Sequence, residues 1–265
     1  MSETQKLRVD RVSPVVARVL INRPAKRNAI DFDVRQQLIE TFERLLQDAQ
    51  VRAVIIGGVG GNFSAGGDLP SMANLSDSDA RQRMRHIGRL CRLIQGAAIP
   101  IVTAMEGVSA GACIGLALLG DWIVAGANTK VLLPFMKLGL IPDWGLLHTL
   151  PLRIGMPAAR RLFAADGPVA VNDALRMGLF DELVADSEVM PAAIREAQRL
   201  AALPRDAFAR MKSRLSVRSS TLEDDLQREE DDQAHLLLSA DFREGYAAFM
   251  EKRSPDFIRH PRDAK

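Results

Sequence analysis

The sequence predicts an α/β fold with a helical tail, on three observations. Apolar runs of strand length end in clusters of small residues, as in "VRAVIIGGVGG" (51–61) and "AIPIVTAMEG" (98–107). Stretches with helical apolar spacing lie between such runs. From about Pro191 onward, helical patterns take over and strand-like runs stop. This alternation is what helices packed on a sheet require, and 265 residues suffice to bury a large core.

Each element has its own justification. "VARVLIN", from Val16 to Asn22, is rich in β-branched residues and stops at "RPAKRNA", so it reads as a strand followed by a loop. "DFDVRQQLIETFERLLQDAQ" places Val34, Leu38, Ile39, Phe42, Leu45, Leu46 and Ala49 on one helical face. "VRAVIIGGVGG" is a buried strand, the polar "SMANLSDSDARQRMRHIGRLCRLIQG" is mostly helix, and "AIPIVTAMEG" is the next buried strand. "GACIGLALLGDWIVAGANTKVLLPF" reads as a short helix and a strand whose continuation carries Val131 to Leu133. "DGPVAVNDALRMGLFDELVAD" gives helix, turn and strand. In the tail, the acidic run "LEDDLQREEDDQ" is a solvated helix face, and Asp241 with Glu244 is a candidate capping box for the last helix.

Composition narrows the function classes. A net charge of +2, with 47% hydrophobic and 26% charged residues, is that of a water-soluble globular chain. It offers neither a nucleic-acid stripe nor a membrane-seeking segment. Cys91 and Cys113 have no metal-ligand spacing and form no paired framework, which fits a reducing compartment. No metal is expected. "MSETQKLRVDRV" lacks a basic and then apolar leader pattern, and "DAK" is no peroxisomal address, so a cytoplasmic location is expected.

Gly107, Ser109 and Gly111 spell G-x-S-x-G, the nucleophile elbow of serine hydrolases. That elbow needs a base and an acid downstream. His148 follows too closely, His235 lies in the acidic helical stretch, His260 is in the extreme tail, and no oxyanion loop precedes the elbow. The triad is rejected on context. The alternative is a backbone role. "GGVGGNFSAGGDL" and "MEGVSAGACIG" both follow apolar strands and are crowded with residues lacking bulk, which lets a ligand approach main-chain N–H groups. Two such donors aimed at one carbonyl oxygen make an oxyanion hole. Tight strand-to-helix turns would also account for either segment alone.

"FSAGGDL" together with "IPIVTAMEGVSAGACIGLALLGDWIVA" resembles the enoyl-CoA hydratase/isomerase (crotonase) superfamily. The likeness extends in order to "INRPAKRNAI", "KLGLIPDWG" and "REGYAAFMEKRSPDF", and so spans nearly the whole chain. The resemblance implies a crotonase-like spiral of ββα repeats over residues 1–190, carrying the CoA and acyl sites, and a C-terminal helical trimerisation region over 191–265. It implies a homotrimer or hexamer acting on an acyl-CoA thioester, with coenzyme A present only as part of the substrate and no separate cofactor. By motif position it puts the oxyanion donors on the N–H groups of Gly67 and Ala112, and leaves Ser109 as a packing residue. It assigns Lys26 and Arg27 to the nucleotide end, and Ala65, Gly66, Asp68 and Leu69 to the thioester and pantetheine path. Phe249 and Lys252 match tail positions that reach the adenine and phosphates, often those of a neighbouring subunit.

The same resemblance exposes a departure. Hydratases of the superfamily use two glutamates, and the matching positions here hold Gly115 and Phe135, neither of which can transfer a proton. Asp143, in "GLIPDWG", matches an acid found in the isomerases of ring-opened epoxyphenylacetyl-CoA and in the 4-chlorobenzoyl-CoA dehalogenases. One carboxylate can take a proton at one carbon and return it at another, so a double-bond shift is the expected reaction. Phe135 and Trp144 are expected in the acyl pocket. Asp143 could instead cap the following helix, or attack the substrate as a hydrolase or dehalogenase nucleophile. A non-catalytic CoA-binding scaffold is the alternative of another class. His86 falls in the segment that covers the acyl pocket, where a structural role is the simpler reading.

Overall fold

The computed structural model describes residues 5–165, 167–217 and 221–258. Its strands and helices follow in the order β1 (Leu7–Ser13), β2 (Val16–Ile21), α1 (Phe32–Gln47), β3 (Ala53–Gly58), α2 (Asp77–Gln95), β4 (Ile101–Met105), β5 (Val108–Ala110), α3 (Ala112–Leu118) and β6 (Trp122–Gly126). Then come β7 (Lys130–Leu132), α4 (Leu146–Ile154), α5 (Met156–Ala164), α6 (Val171–Arg176), β8 (Glu182–Val184), α7 (Val189–Ala201), α8 (Arg205–Ser216), α9 (Leu222–Leu237) and α10 (Ala240–Glu251).

A six-stranded sheet runs β1-β2-β3-β4-β6-β8, with β1 antiparallel to β2 and every later neighbour parallel. A second wall is narrower. It joins β5 to β7 and continues through single parallel bridges, Ser64 to Ser109 and Ile30 to Gly67. Each turn of chain therefore gives one strand to the large sheet, one short extended segment to the small wall, and one helix. That is a spiral of ββα turns.

Local chemistry sets the helix starts. The Asp31 carboxylate accepts from Val34 N at the head of α1, and Ser76 with Asp79 forms a capping box at the head of α2. The last helix departs from expectation. Ser239 caps α10 by accepting from Phe242 N, because Glu244 is buried and held by Arg253 at 2.6 and 3.0 Å and by Asp256 N at 2.8 Å. β1 and the separate β7 also go beyond the expected elements. In β1, charged residues interrupt the apolar ones, so its pairing to β2 is decided by tertiary contact rather than by an apolar run.

Strand alternation divides the apolar residues between two cores. Val54 and Ile56 face the helices of the spiral, whereas Ala53 and Ile55 face the opposite side. There they pack with Val16, Val102, Ala104 and Val124 against Val189, Ala193 and Ala197 of α7. The division expected after residue 190 thus falls within α7, which closes the second face of the sheet. Among the described residues, no helix is long and apolar enough to cross a membrane.

Candidate active site

Two loops meet at the narrow wall and aim N–H groups at the same space. Ser64 N donates to Val108 O at 3.1 Å, Ala110 N donates back to Ser64 O at 3.0 Å, and the Cys113 thiol donates to Ser64 O at 3.1 Å. An added Cβ on Gly66 would strike the Ala110 carbonyl and lie 3.3 Å from Ala112 N, so only glycine lets the loops close this far. On either side of Gly67 the N–H groups are committed, Gly66 N to Ser64 Oγ at 3.0 Å and Asp68 N to Ile30 O at 3.1 Å. Gly67 N itself donates to no described residue. Ala112 N opens α3 and is likewise without an acceptor among the described residues, while Gly111 N is held by Leu132 O at 2.8 Å. Gly111 reaches this geometry at φ 55° and ψ −117°, a conformation that side chains exclude.

Gly67, Ala112 and Asp143 line one cavity of about 370 Å³. Lys26, Ala65, Asp68 and Leu69 line it from the donor-loop side, and Phe135, Leu138 and Leu140 from the other. Asp68 is anchored rather than free. Arg23 reaches both Asp68 and Asp31 at 3.2 Å, which ties the first donor loop to the head of α1. Arg27 lies outside the lining, exposed in a left-handed turn, and its carbonyl accepts from Ala65 N at 2.8 Å. Phe249, 81% exposed, and Lys252 stand at the end of α10 and line no part of this chain's cavity. Ser109 is fully buried and its hydroxyl makes no hydrogen bond with a described residue, so no base among them attends it.

Asp143 arrives on the loop between β7 and α4. Its side chain does not cap the helix: Gly145 is the N-cap residue, and Leu146 N is taken by the Asp143 backbone carbonyl at 3.0 Å. Asp143 Oδ1 is buried with no hydrogen-bond partner among the described residues. Burial pushes the carboxyl above the usual carboxylate range, opposed by the positive charges of Arg83 and Arg35. Trp144, expected in the acyl pocket, lies behind its wall instead. It is 2% exposed at φ 54° and absent from the lining, because the Trp144–Gly145 turn sits down onto Gly115. A Cβ on Gly115 would come within 2.5 Å of Trp144 Cβ and 3.0 Å of its carbonyl oxygen. The space a side chain at position 115 would need is therefore filled by the Cβ and carbonyl oxygen of Trp144.

His86 is a packing residue. It stacks on Phe32 with ring centroids 4.7 Å apart, its Nδ1 accepts from Arg35 Nε at 3.4 Å, and its Nε2–H donates to Gln36 Oε1 at 3.0 Å. Burial and the neighbouring arginines hold it below its ordinary pKa. Cys91 is inert as well, its thiol pushed up to about 12 by burial and by Asp143. Two residues that sequence reasoning passed over are Arg83, which lines the cavity, and Arg35, buried behind it. The signal was present: each interrupts an apolar helical stripe, Arg83 four residues before Ile87 and Arg35 three before Leu38.

The family model for enoyl-CoA hydratase/isomerase matches residues 11–260. The chain is 32% identical to the 1,2-epoxyphenylacetyl-CoA isomerase of Escherichia coli K12, over 91% of this chain and 94% of that one. It is 30% identical to the crotonyl-CoA hydratase of Syntrophomonas wolfei, over 92% and 94% respectively. Its fold superposes on the crystal structure of enoyl-CoA hydratase from Bacillus anthracis with a TM-score of 0.89, at 26% identity, covering 97% of this chain and all of that one. The spiral of ββα turns, the paired backbone donors and the family match agree, and the chain belongs to the enoyl-CoA hydratase/isomerase family of acyl-CoA enzymes.

Proposed function

We propose that this enzyme shifts a double bond in an unsaturated acyl-CoA, using Asp143 as its single acid and base. The observation that carries the reading is Asp143, whose Oδ1 is buried without a hydrogen-bond partner among the described residues and which lines the same cavity as Gly67 and Ala112. The carboxylate takes a proton from the carbon next to the thioester. The electron pair moves onto the thioester oxygen, which accepts from Gly67 N–H and Ala112 N–H. The proton then returns from Asp143 to the far end of the migrating double bond, and the enolate collapses to the isomeric thioester. No atom is gained or lost.

Hydration asks for a second proton-transfer group to handle water, and neither Gly115 nor Phe135 supplies one. The isomerase name of the Escherichia coli relative is consistent with a proton-shifting role. A non-catalytic scaffold accords less well with the site, because leaving Asp143 Oδ1 buried without a hydrogen bond is a cost that binding alone does not require. Lys26 at the cavity mouth suits a CoA phosphate, with Arg27, Phe249 and Lys252 proposed for the nucleotide end, the last two supplied by a neighbouring copy.

Turnover of 3-enoyl, 2-enoyl and cyclic or aryl-CoA thioesters tests the proposal. Double-bond migration is expected from the native enzyme, falling about 10²- to 10⁴-fold in Asp143→Asn, with no water added to 2-enoyl-CoA. Hydration that persists in the variant would overturn the assignment, and a covalent adduct on Asp143 would make it a nucleophile instead.

A further inference from the structure

We propose that the acyl group of the substrate carries a second carboxylate, close to the thioester, and that Arg83 binds it. The inference rests on the acyl-CoA reading above and specifies its substrate class as a short dicarboxylic monothioester.

Most charged groups around the cavity have a partner. Arg23 meets Asp31 and Asp68 at 3.2 Å, Lys6 is paired with Asp31 at 2.9 Å, and Lys26 lies 3.9 Å from Asp68. Arg83 differs. It lines the cavity half-buried, and it forms neither a hydrogen bond nor an ion pair with any described residue. Asp143 and Asp68 act on it only from beyond contact.

Behind it stands a second guanidinium. Arg35 is 2% exposed, and its Nη1 is buried without a partner. Burial, and then the charge of Arg83, lower its pKa to about 10. Asp31, Asp143 and Asp33 act on Arg35, and Asp143 and Asp68 on Arg83. Asp31 and Asp33 are paired with Lys6, and Asp68 with Arg23, which leaves Asp143 as the carboxylate the two guanidinium groups share. An excess of buried positive charge is costly until an anion enters. A guanidinium presents the planar pair of donors that a carboxylate accepts.

The position of Arg83 also limits chain length. Its Nη2 would lie 3.3 Å from a Cβ on Gly67, and so the guanidinium sits beside the oxyanion donor rather than at the far end of the pocket. A carboxylate that reaches it must be only a few carbons from the thioester. Met72, Phe135 and Leu138 then cover the methylenes between.

Calorimetric titration with saturated thioesters tests this without turnover, since no double bond is present to move. The probes are succinyl-, glutaryl- and adipyl-CoA, each against the butyryl-, pentanoyl- or hexanoyl-CoA of equal chain length. The native protein is expected to bind at least one dicarboxylic ester about tenfold or more tightly than its match. Arg83→Met should remove that preference by weakening the dicarboxylic ester alone, and Arg83→Lys should restore part of it. Equal affinities in the native protein, a preference that survives Arg83→Met, or equal weakening of both esters would overturn the proposal. The last result would assign Arg83 to the CoA moiety that both probes share. Failure of the isomerase reading would appear in the Asp143→Asn turnover assay and leave these affinities unchanged.

Discussion

Asp143 has to be ionised to accept a proton, yet its surroundings favour the neutral form. Two consequences follow at the residue scale. The acid limb of the pH–rate profile should lie above the ordinary carboxylate pKa, since activity needs the anion and burial delays its formation. Arg83 opposes that shift, so Arg83→Met should move the limb to still higher pH, which a kcat/KM profile across pH 4–9 would read. A limb that stayed in place would separate Arg83 electrostatically from Asp143. The second consequence concerns stability. A carboxyl with a raised folded-state pKa contributes stability below its unfolded pKa and loses it as pH rises through the folded value. Asp143→Asn should therefore raise Tm at pH 7–8, by about 2–4 °C per kcal/mol recovered, and leave it unchanged below about pH 4. A variant that melts lower at neutral pH would mean that the carboxylate has a partner in solution.

At the scale of elements, the site depends on one turn pressed against one helix. Trp144 adopts φ 54°, a conformation that costs a bulky side chain about 1–3 kcal/mol, and α3 receives it at Gly115. The nearest atoms there are a Cβ and a main-chain oxygen, neither of which can swing aside. Gly115→Ala is expected to destabilise the enzyme by about 1–3 kcal/mol. It should also lower turnover tenfold or more by displacing Asp143, because misplacing a catalytic group by about 1 Å costs up to 10²-fold. Thermal unfolding and a turnover assay check both. Unchanged values in each would show that the turn is not clamped. This contact also marks how far the sequence could be read. Small residues after apolar strands marked the two loops that meet at the cavity, because loops that close this far need glycine and alanine at their contact. A tryptophan in a left-handed turn gives no local signal, so its burial was not legible. Arg83 and Arg35 were missed for a related reason. A charge in an apolar stripe reads as surface until the facing helix is known, and here α1 and α2 face each other across His86.

For the whole molecule, the two faces of the large sheet are closed within one chain, but the tail is not. α9 has no buried residue, and Leu222, Leu238, Tyr246 and Phe249 of α9 and α10 and their caps are exposed at 74%, 78%, 59% and 81%. Isolated surface leucines need no explanation, whereas four large apolar side chains left this exposed on two successive helices and their caps invite one. The sequence resemblance implies a trimer or a pair of trimers, and we expect the native chain to sediment as a multiple of three 29.1 kDa protomers. On the CoA role proposed for Phe249 and Lys252, assembly bears on substrate binding as well, because neither residue lines the Asp143 cavity of its own chain. Leu222→Lys with Leu238→Lys should shift the sedimenting species towards the monomer and make Tm depend on protein concentration. If neighbouring tails complete the CoA site, the same pair should raise KM for the thioester severalfold while kcat at saturation changes little, since Asp143, Gly67 and Ala112 all come from one spiral. A native chain that sediments as a monomer at micromolar concentration would remove the assembly. A dissociated variant with an unaltered KM would keep the assembly and confine the CoA contacts to a single protomer.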